Sequence, residues 1–280
     1  MRKASFVIAA LLLATHIDTL AQPAIRVDSL YSPSLGRTMK ICVMVPSDYS
    51  PLHKYPLLFM LHYWGGNYMT YARTKLTEYM ARIPMIVVTP QADTSWYINS
   101  FKSKTKQYET YVIRDVYNYV RRKYSIDTTR QAIAGLSMGG YGALLLGFSH
   151  PKMFKFIGSL SGAITVTQLA VAARHSPAVN FVMPSIKKIF DGASKGFIDS
   201  NDVFKVFHWT PPSELPYVFI GVGYHDQLGL WQASRALADS LRSYGATYEY
   251  SEVQGDHFGP NVFTMDIPTM LQRIREELKF

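Results

Sequence analysis

Five short stretches of this chain, residues 57–61, 85–89, 132–136, 156–160 and 217–222, are apolar almost without interruption. A strand that is apolar on both faces has to be covered on both, which is the situation of the inner strands of a parallel sheet. Between the runs lie helical patterns. In residues 109–123, Val112, Val116 and Val120 fall four apart with Ile113 and Tyr117 beside them, and in residues 230–244, Ala233, Leu237 and Leu241 repeat that stripe before Gly245 stops it. Residues 24–30 and 38–46 are β-rich and read as an antiparallel opening. A last β-rich run at 247–253 precedes a loop and an amphipathic helix from about Ile267. The expectation is therefore eight strands, the first two antiparallel and the rest alternating with helices, in a mostly parallel α/β sheet with helices on both faces.

At 280 residues, with 48% hydrophobic and 18% charged, the chain has ordinary globular composition, which excludes disordered, collagen-like and coiled-coil classes. A single large domain is expected. The lone cysteine, Cys42, forbids an intramolecular disulfide and any cysteine cluster for zinc or iron–sulfur. It falls inside a predicted strand, where an inert buried thiol is expected. No metal or cofactor is expected.

The N-terminus reads as a targeting segment. Arg2 and Lys3 precede an apolar run at 6–14 that is too short to span a bilayer, and Thr19-Leu20-Ala21 supplies small residues for a cut after Ala21. Residues 1–21 are thus expected to be a signal peptide and residues 22–280 a secreted or periplasmic domain without stable membrane insertion. The cut removes Arg2, Lys3 and Asp18, taking the formal charge from +9 to +8. The basic residues are scattered, as on solvated helix faces, so nucleic acid is not an expected partner. Between about 164 and 216 the strand–helix alternation lapses in a stretch holding Pro177, Pro184, Pro211 and Pro212, which is expected to cap the site.

Gly135-Leu136-Ser137-Met138-Gly139 joins a predicted strand directly to a helix-like run at 140–148. A serine on so tight a turn needs small neighbours for the chain to double back, and the turn exposes its hydroxyl at a helix N-terminus. A serine hydroxyl is a poor nucleophile until a base takes its proton and an acid orients the base, and in this architecture they follow in the order serine, acid, histidine. His53, His62 and His150 fall before or just past the serine helix, and His175 and His208 in the insertion. His257, in the loop after the last strand, is the expected base. Asp226 ends the penultimate strand and is the expected acid. Asp202 lies too deep in the insertion, Asp239 on a helix face, Asp256 beside the histidine itself, and His225 reads as a loop histidine. An oxyanion would be met by the N–H of Met138 and by one from His62-Tyr63-Trp64-Gly65-Gly66-Asn67, with Trp64 the best candidate.

Gly-Leu-Ser-Met-Gly-Gly-Tyr-Gly-Ala at 135–143, Ser-Leu-Ser-Gly-Ala at 159–163, Asn201-Asp202-Val203 and the late Asp226 and His257 resemble the esterase D and feruloyl/acetylxylan esterase group. That group is similar in turn to S-formylglutathione hydrolases and mycolyltransferases. The resemblance spans roughly residues 36–275 and implies the α/β-hydrolase fold. It also implies a serine esterase acting on acetyl or hydroxycinnamoyl esters of carbohydrates, small-molecule or polysaccharide. It leaves open an acyltransferase moving an acyl group to a sugar hydroxyl, and a non-catalytic carbohydrate-binding relative. The chain departs at Tyr63, where relatives carry glycine. By the same resemblance Trp96 and Tyr97 match an aromatic pair near the pocket, and with Tyr63 they are the expected pocket residues.

Overall fold

The computed structural model describes residues 22–172, 177–257 and 266–280. The expected signal peptide and His175 lie outside the described residues. Eight strands form one sheet: β1 (Ala24–Ser32), β2 (Arg37–Val45), β3 (Tyr55–Leu61), β4 (Ile86–Pro90), β5 (Ile126–Leu136), β6 (Phe156–Leu160), β7 (Tyr217–Gly223) and β8 (Tyr248–Val253). Their order is β1-β2-β4-β3-β5-β6-β7-β8, antiparallel where β2 meets β1 and β4 and parallel from β4 to β8. All residues of β3, β4 and β6 are buried, as their two-sided apolar character requires.

Successive residues of one strand feed opposite layers, the period-two signature of a sheet covered twice. Ile133 of β5 joins the larger core cluster and Ala132 and Ala134 the smaller. The larger cluster takes Val112, Val116 and Val120, the helix Met138–Ser149, and Leu237 and Leu241 from the helix Leu230–Tyr244. The smaller takes the short helix Leu76–Met80 and, from the C-terminal helix Ile267–Leu278, Ile267, Met270, Leu271, Ile274 and Leu278. Gly245 ends its helix at φ 84°, the left-handed stop expected of it.

One helix departs from regular α geometry. Residues 108–123 are helical throughout, but Tyr111–Val116 is π-helical. Apolar residues spaced four apart drift by about 40° per step around an α-helix of 3.6 residues per turn, and a widened turn cancels part of that drift. Val112, Val116 and Val120 accordingly all reach the core with no exposed surface.

The β8 edge is closed by charge. Glu249 and Glu252, on opposite faces, pair with Arg273 of the C-terminal helix and Arg235 of the helix Leu230–Tyr244. Between β6 and β7 the expected insertion is built of short helices, among them Val166–Val171, Met183–Phe190, Lys195–Asp199 and Val203–Val206. Its Asn201-Asp202-Val203 motif ties it to the helix Met138–Ser149. The buried Tyr141 hydroxyl, on the helix after Ser137, donates to the Asn201 carbonyl at 2.7 Å, and Asp202 caps the helix Val203–Val206 by accepting from Phe204 N–H.

Candidate active site

Ser137 leaves β5 and enters the helix Met138–Ser149 at φ 57° and ψ −115°. Such backbone costs a residue with a Cβ about 1–3 kcal/mol and persists only where the surroundings hold it. Here its N–H donates to the Leu160 carbonyl at 2.9 Å, and its own carbonyl accepts from the N–H groups of Tyr141 and Ala163 at 3.0 and 3.1 Å. The two motif glycines make the turn sterically feasible. A Cβ at Gly135 would stand 2.4 Å from the Gly139 backbone, and one at Gly139 only 2.0 Å from the Leu61 carbonyl oxygen of β3. The helix therefore sits hard against the carboxyl ends of the central strands, and no other residue permits it.

The last two strands of the sheet deliver the remaining groups. The loop after β7 carries Asp226 and the loop after β8 carries His257. They approach so closely that a Cβ on Gly223 would meet the Gly255 carbonyl at 2.5 Å. His257 Nδ1 lies 2.8 Å from Asp226 Oδ2 and His257 Nε2 lies 2.9 Å from Ser137 Oγ. The second carboxylate oxygen of Asp226 accepts from Leu228 N–H at 2.7 Å, which fixes its plane. With Nδ1–H donating to the Asp226 carboxylate, Nε2 is left as an acceptor facing the serine hydroxyl. Three residues 31 and 120 positions apart thus form one buried hydrogen-bonded line. Chemically, such a line can withdraw the serine proton as the oxygen attacks a carbonyl.

Above Ser137 and His257 is a pocket of about 160 Å³ lined mainly by apolar side chains, including Trp64, Trp96, Leu169, Phe181 and Leu230. Met138 begins its helix, so its N–H has no acceptor within the helix and lies next to Ser137. Trp64 is in the loop after β3 and puts its indole in the pocket wall. That loop is pinned from below by His62. Its Nδ1 donates to the Tyr63 carbonyl at 2.8 Å and its Nε2 accepts from Ala92 N–H at 2.9 Å, while burial pushes its pKa down and keeps the ring neutral.

The three residues expected at the pocket from family likeness part company. Trp96 lines it. Tyr97 does not: its ring packs against Gly142 of the serine helix and its hydroxyl donates to the His62 carbonyl at 2.9 Å. The two residues have φ of 57° and 59°, and with Trp96 in the pocket wall Tyr97 is turned into the core. Tyr63 packs, partly buried, against the smaller core cluster and is not among the pocket-lining residues. His225 donates its backbone N–H to Gly255 and its ring rests on Tyr224. His150 pairs with Glu109 and His208 stacks near Phe207 and Tyr244, all away from Ser137.

Sequence reasoning did not find Ser185, which accepts from both tryptophan indoles, nor the insertion residues Val179, Phe181 and Val182. The one available signal was that two indole N–H groups near a pocket each need an acceptor. It also missed Asp266, buried at the start of the C-terminal helix beneath β7 and β8. Asp266 Oδ1 accepts from Ser251 Oγ at 2.7 Å, and among the described residues Oδ2 has no hydrogen-bond partner. Burial, opposed only by the Ser251 bond, pushes this carboxyl up to about 7. Among the described residues no group of three or more His, Cys, Asp or Glu is placed to hold a metal ion, and no helix is long and apolar enough to cross a membrane.

A family model described as putative esterase matches residues 32–274. An acetyl esterase of Caldicellulosiruptor saccharolyticus is 25% identical over 243 residues, covering 82% of this chain and 90% of that protein. Among solved structures, the substrate-bound fluorophosphonate-binding serine hydrolase FphF of Staphylococcus aureus superposes with a TM-score of 0.77 at 23% identity, covering 91% of this chain and 99% of that one. A CE1 ferulic acid esterase of Anaeromyces mucronatus in complex with ferulic acid gives 0.63 at 18% identity, over 92% and 93%. At these identities the structural likenesses establish a shared fold.

Proposed function

This chain belongs to the putative esterase family and is a carboxylic ester hydrolase, and from that premise we propose that it is an exported serine esterase using Ser137, His257 and Asp226 on acetyl or hydroxycinnamoyl esters of carbohydrates. The observation that carries the catalytic assignment is the line Asp226–His257–Ser137, with contacts of 2.8 and 2.9 Å, at the floor of an apolar pocket. Ser137 Oγ attacks the ester carbonyl while His257 Nε2 takes its proton. The oxyanion is met by the N–H groups of Met138 and Trp64, donors that cost no reorganisation because the helix start and the His62-anchored loop hold them in place. Collapse expels the alcohol, protonated by His257, and leaves an acyl-enzyme. Water, activated by the same imidazole, then releases the acid. Asp226 holds the imidazole in the required tautomer throughout.

The acetyl and hydroxycinnamoyl acyl groups are supported by the acetyl esterase and ferulic acid esterase it is similar to, the carbohydrate part by the motif resemblance at 135–143 and 159–163, and export by the basic, apolar and small-residue order of residues 1–21. Ser137→Ala tests the mechanism. Hydrolysis of p-nitrophenyl acetate should fall by about 10⁴-fold or more with the melting temperature little changed. Retained activity would overturn the assignment of Ser137.

A further inference from the structure

Ser185 lies buried on the insertion helix Met183–Phe190, and its hydroxyl is fully used. Oγ accepts from Trp64 Nε1 at 3.1 Å and from Trp96 Nε1 at 2.9 Å, and donates to the Val182 carbonyl at 2.7 Å. A serine hydroxyl has one proton and two lone pairs, so nothing is left over. The two indoles arrive on separate loops, after β3 and after β4, and both wall the pocket at Ser137. Trp96 does so from left-handed backbone at φ 57°, a conformation that a bulky residue keeps only when its neighbours hold it. Its holders are the Ser185 hydroxyl and an edge-on contact with Tyr141 at 6.0 Å between ring centroids.

There is open space behind this wall. A second cavity of about 300 Å³, bordered by Ser95, Ile98, Lys106, Lys188 and Ser185 itself, adjoins it. Ser185 lines that cavity and bonds the two indoles that line the pocket over Ser137, so it is the residue that stands between the two spaces. The smaller space, about 160 Å³, is below the roughly 300–1,000 Å³ typical of sites for larger ligands. Its apolar walls suit the acyl part of an ester rather than a polyhydroxylated alcohol, whose hydroxyls would lose their water without replacement.

We propose that Ser185 is a specificity-determining positioning residue: by latching both indoles it keeps the acyl pocket closed toward the neighbouring cavity and restricts the enzyme to short acyl groups, which narrows the acetyl-or-hydroxycinnamoyl reading above to its acetyl member. The proposal rests on the reading of Ser137 as nucleophile. Without the hydroxyl acceptor the indoles are free to swing toward the second cavity, and the pocket lengthens.

The test is a ladder of p-nitrophenyl acetate, butyrate and octanoate. The wild type should lose kcat/KM steeply from acetate to octanoate. In Ser185→Ala and in the closer-sized Ser185→Cys, the octanoate-to-acetate ratio of kcat/KM should rise by about tenfold or more, mainly through a lower KM for octanoate. Tryptophan emission should shift as well. Ser185→Thr, which keeps the hydroxyl, should keep the wild-type ratio. A folded Ser185→Ala or Ser185→Cys whose ratio stays within about twofold of wild type overturns the proposal. So does a wild type that hydrolyses octanoate as efficiently as acetate, a result that needs no variant. A wild type inert to all three esters overturns the nucleophile reading itself, and this proposal with it.

Discussion

Replacing Asp266 by Asn should stabilise the protein at alkaline pH and do little at acid pH. The carboxyl is buried with, among the described residues, one hydrogen bond, to Ser251, and its pKa rises from an ordinary 3.8 to about 7 in the fold. A raised folded-state value means that the native state holds a proton the unfolded chain has already released, so stability is whole below about pH 4 and is lost as pH climbs through 7. The difference of about 3 units corresponds to about 4 kcal/mol, an upper figure since burial relaxes. Asparagine is a close match in shape for the protonated acid and also leaves one polar hydrogen unpaired, so at pH 5 the variant and wild type should differ by about 1 kcal/mol or less. At pH 8.5 the variant should be the more stable by about 2–4 kcal/mol, since only the wild type must ionise a buried group. Urea unfolding followed by tryptophan fluorescence at pH 5, 6, 7 and 8.5 measures the change. Other titrating groups are common to both proteins and cancel in the difference. A difference that is the same at pH 5 and pH 8.5, or that favours the wild type at high pH, would refute the reasoning.

Two further outcomes follow from the site. Asp226→Asn keeps the shape but removes the charge that fixes the His257 tautomer, so kcat on p-nitrophenyl acetate should drop by about 10⁴-fold with little change in KM, as stopped-flow or steady-state assay will show. Gly139→Ala drives a methyl into the Leu61 carbonyl, where a Cβ would stand at 2.0 Å, and should cost about 3 kcal/mol or more, read as a lowered melting temperature.

The inner strands were legible because burial on both faces leaves few polar residues in them. β6 at Phe156–Leu160 and β7 at Tyr217–Gly223 begin where the apolar runs begin. The helices with a strong stripe and a clear stop, Leu230–Tyr244 before Gly245 and Ile267–Leu278, were equally plain. The π-helical stretch Tyr111–Val116 was not, because periodicity four is read as α-helix until the drift it implies is counted. In the site, Ser137 announces itself through the glycines its turn requires, and Asp226 and His257 through chain order at strand ends. Ser185 carries no such mark: its role depends on where the insertion folds, and that folding is decided by tertiary contacts such as Tyr141 on Asn201. Tyr97 shows the converse. A family likeness identifies an aromatic pair, but backbone geometry decides which ring faces the cavity.

Ser137 follows β5, which lies between β3 and β6 in the middle of the sheet, while Asp226 and His257, its proposed acid and base, hang from β7 and β8, the last two strands. β8 is half-buried along most of its length, whereas the strands at the centre are sealed. Opening of a sheet begins where the least is buried. By that measure β1, exposed along most of its length at the far edge, opens first on heating and leaves the line Asp226–His257–Ser137 untouched, whereas β8 is held by the Glu249–Arg273 and Glu252–Arg235 pairs. The hydrogen-bonded line therefore lasts as long as those pairs do, and fraying of that one ribbon withdraws the His257 imidazole while Ser137 and its elbow stay folded.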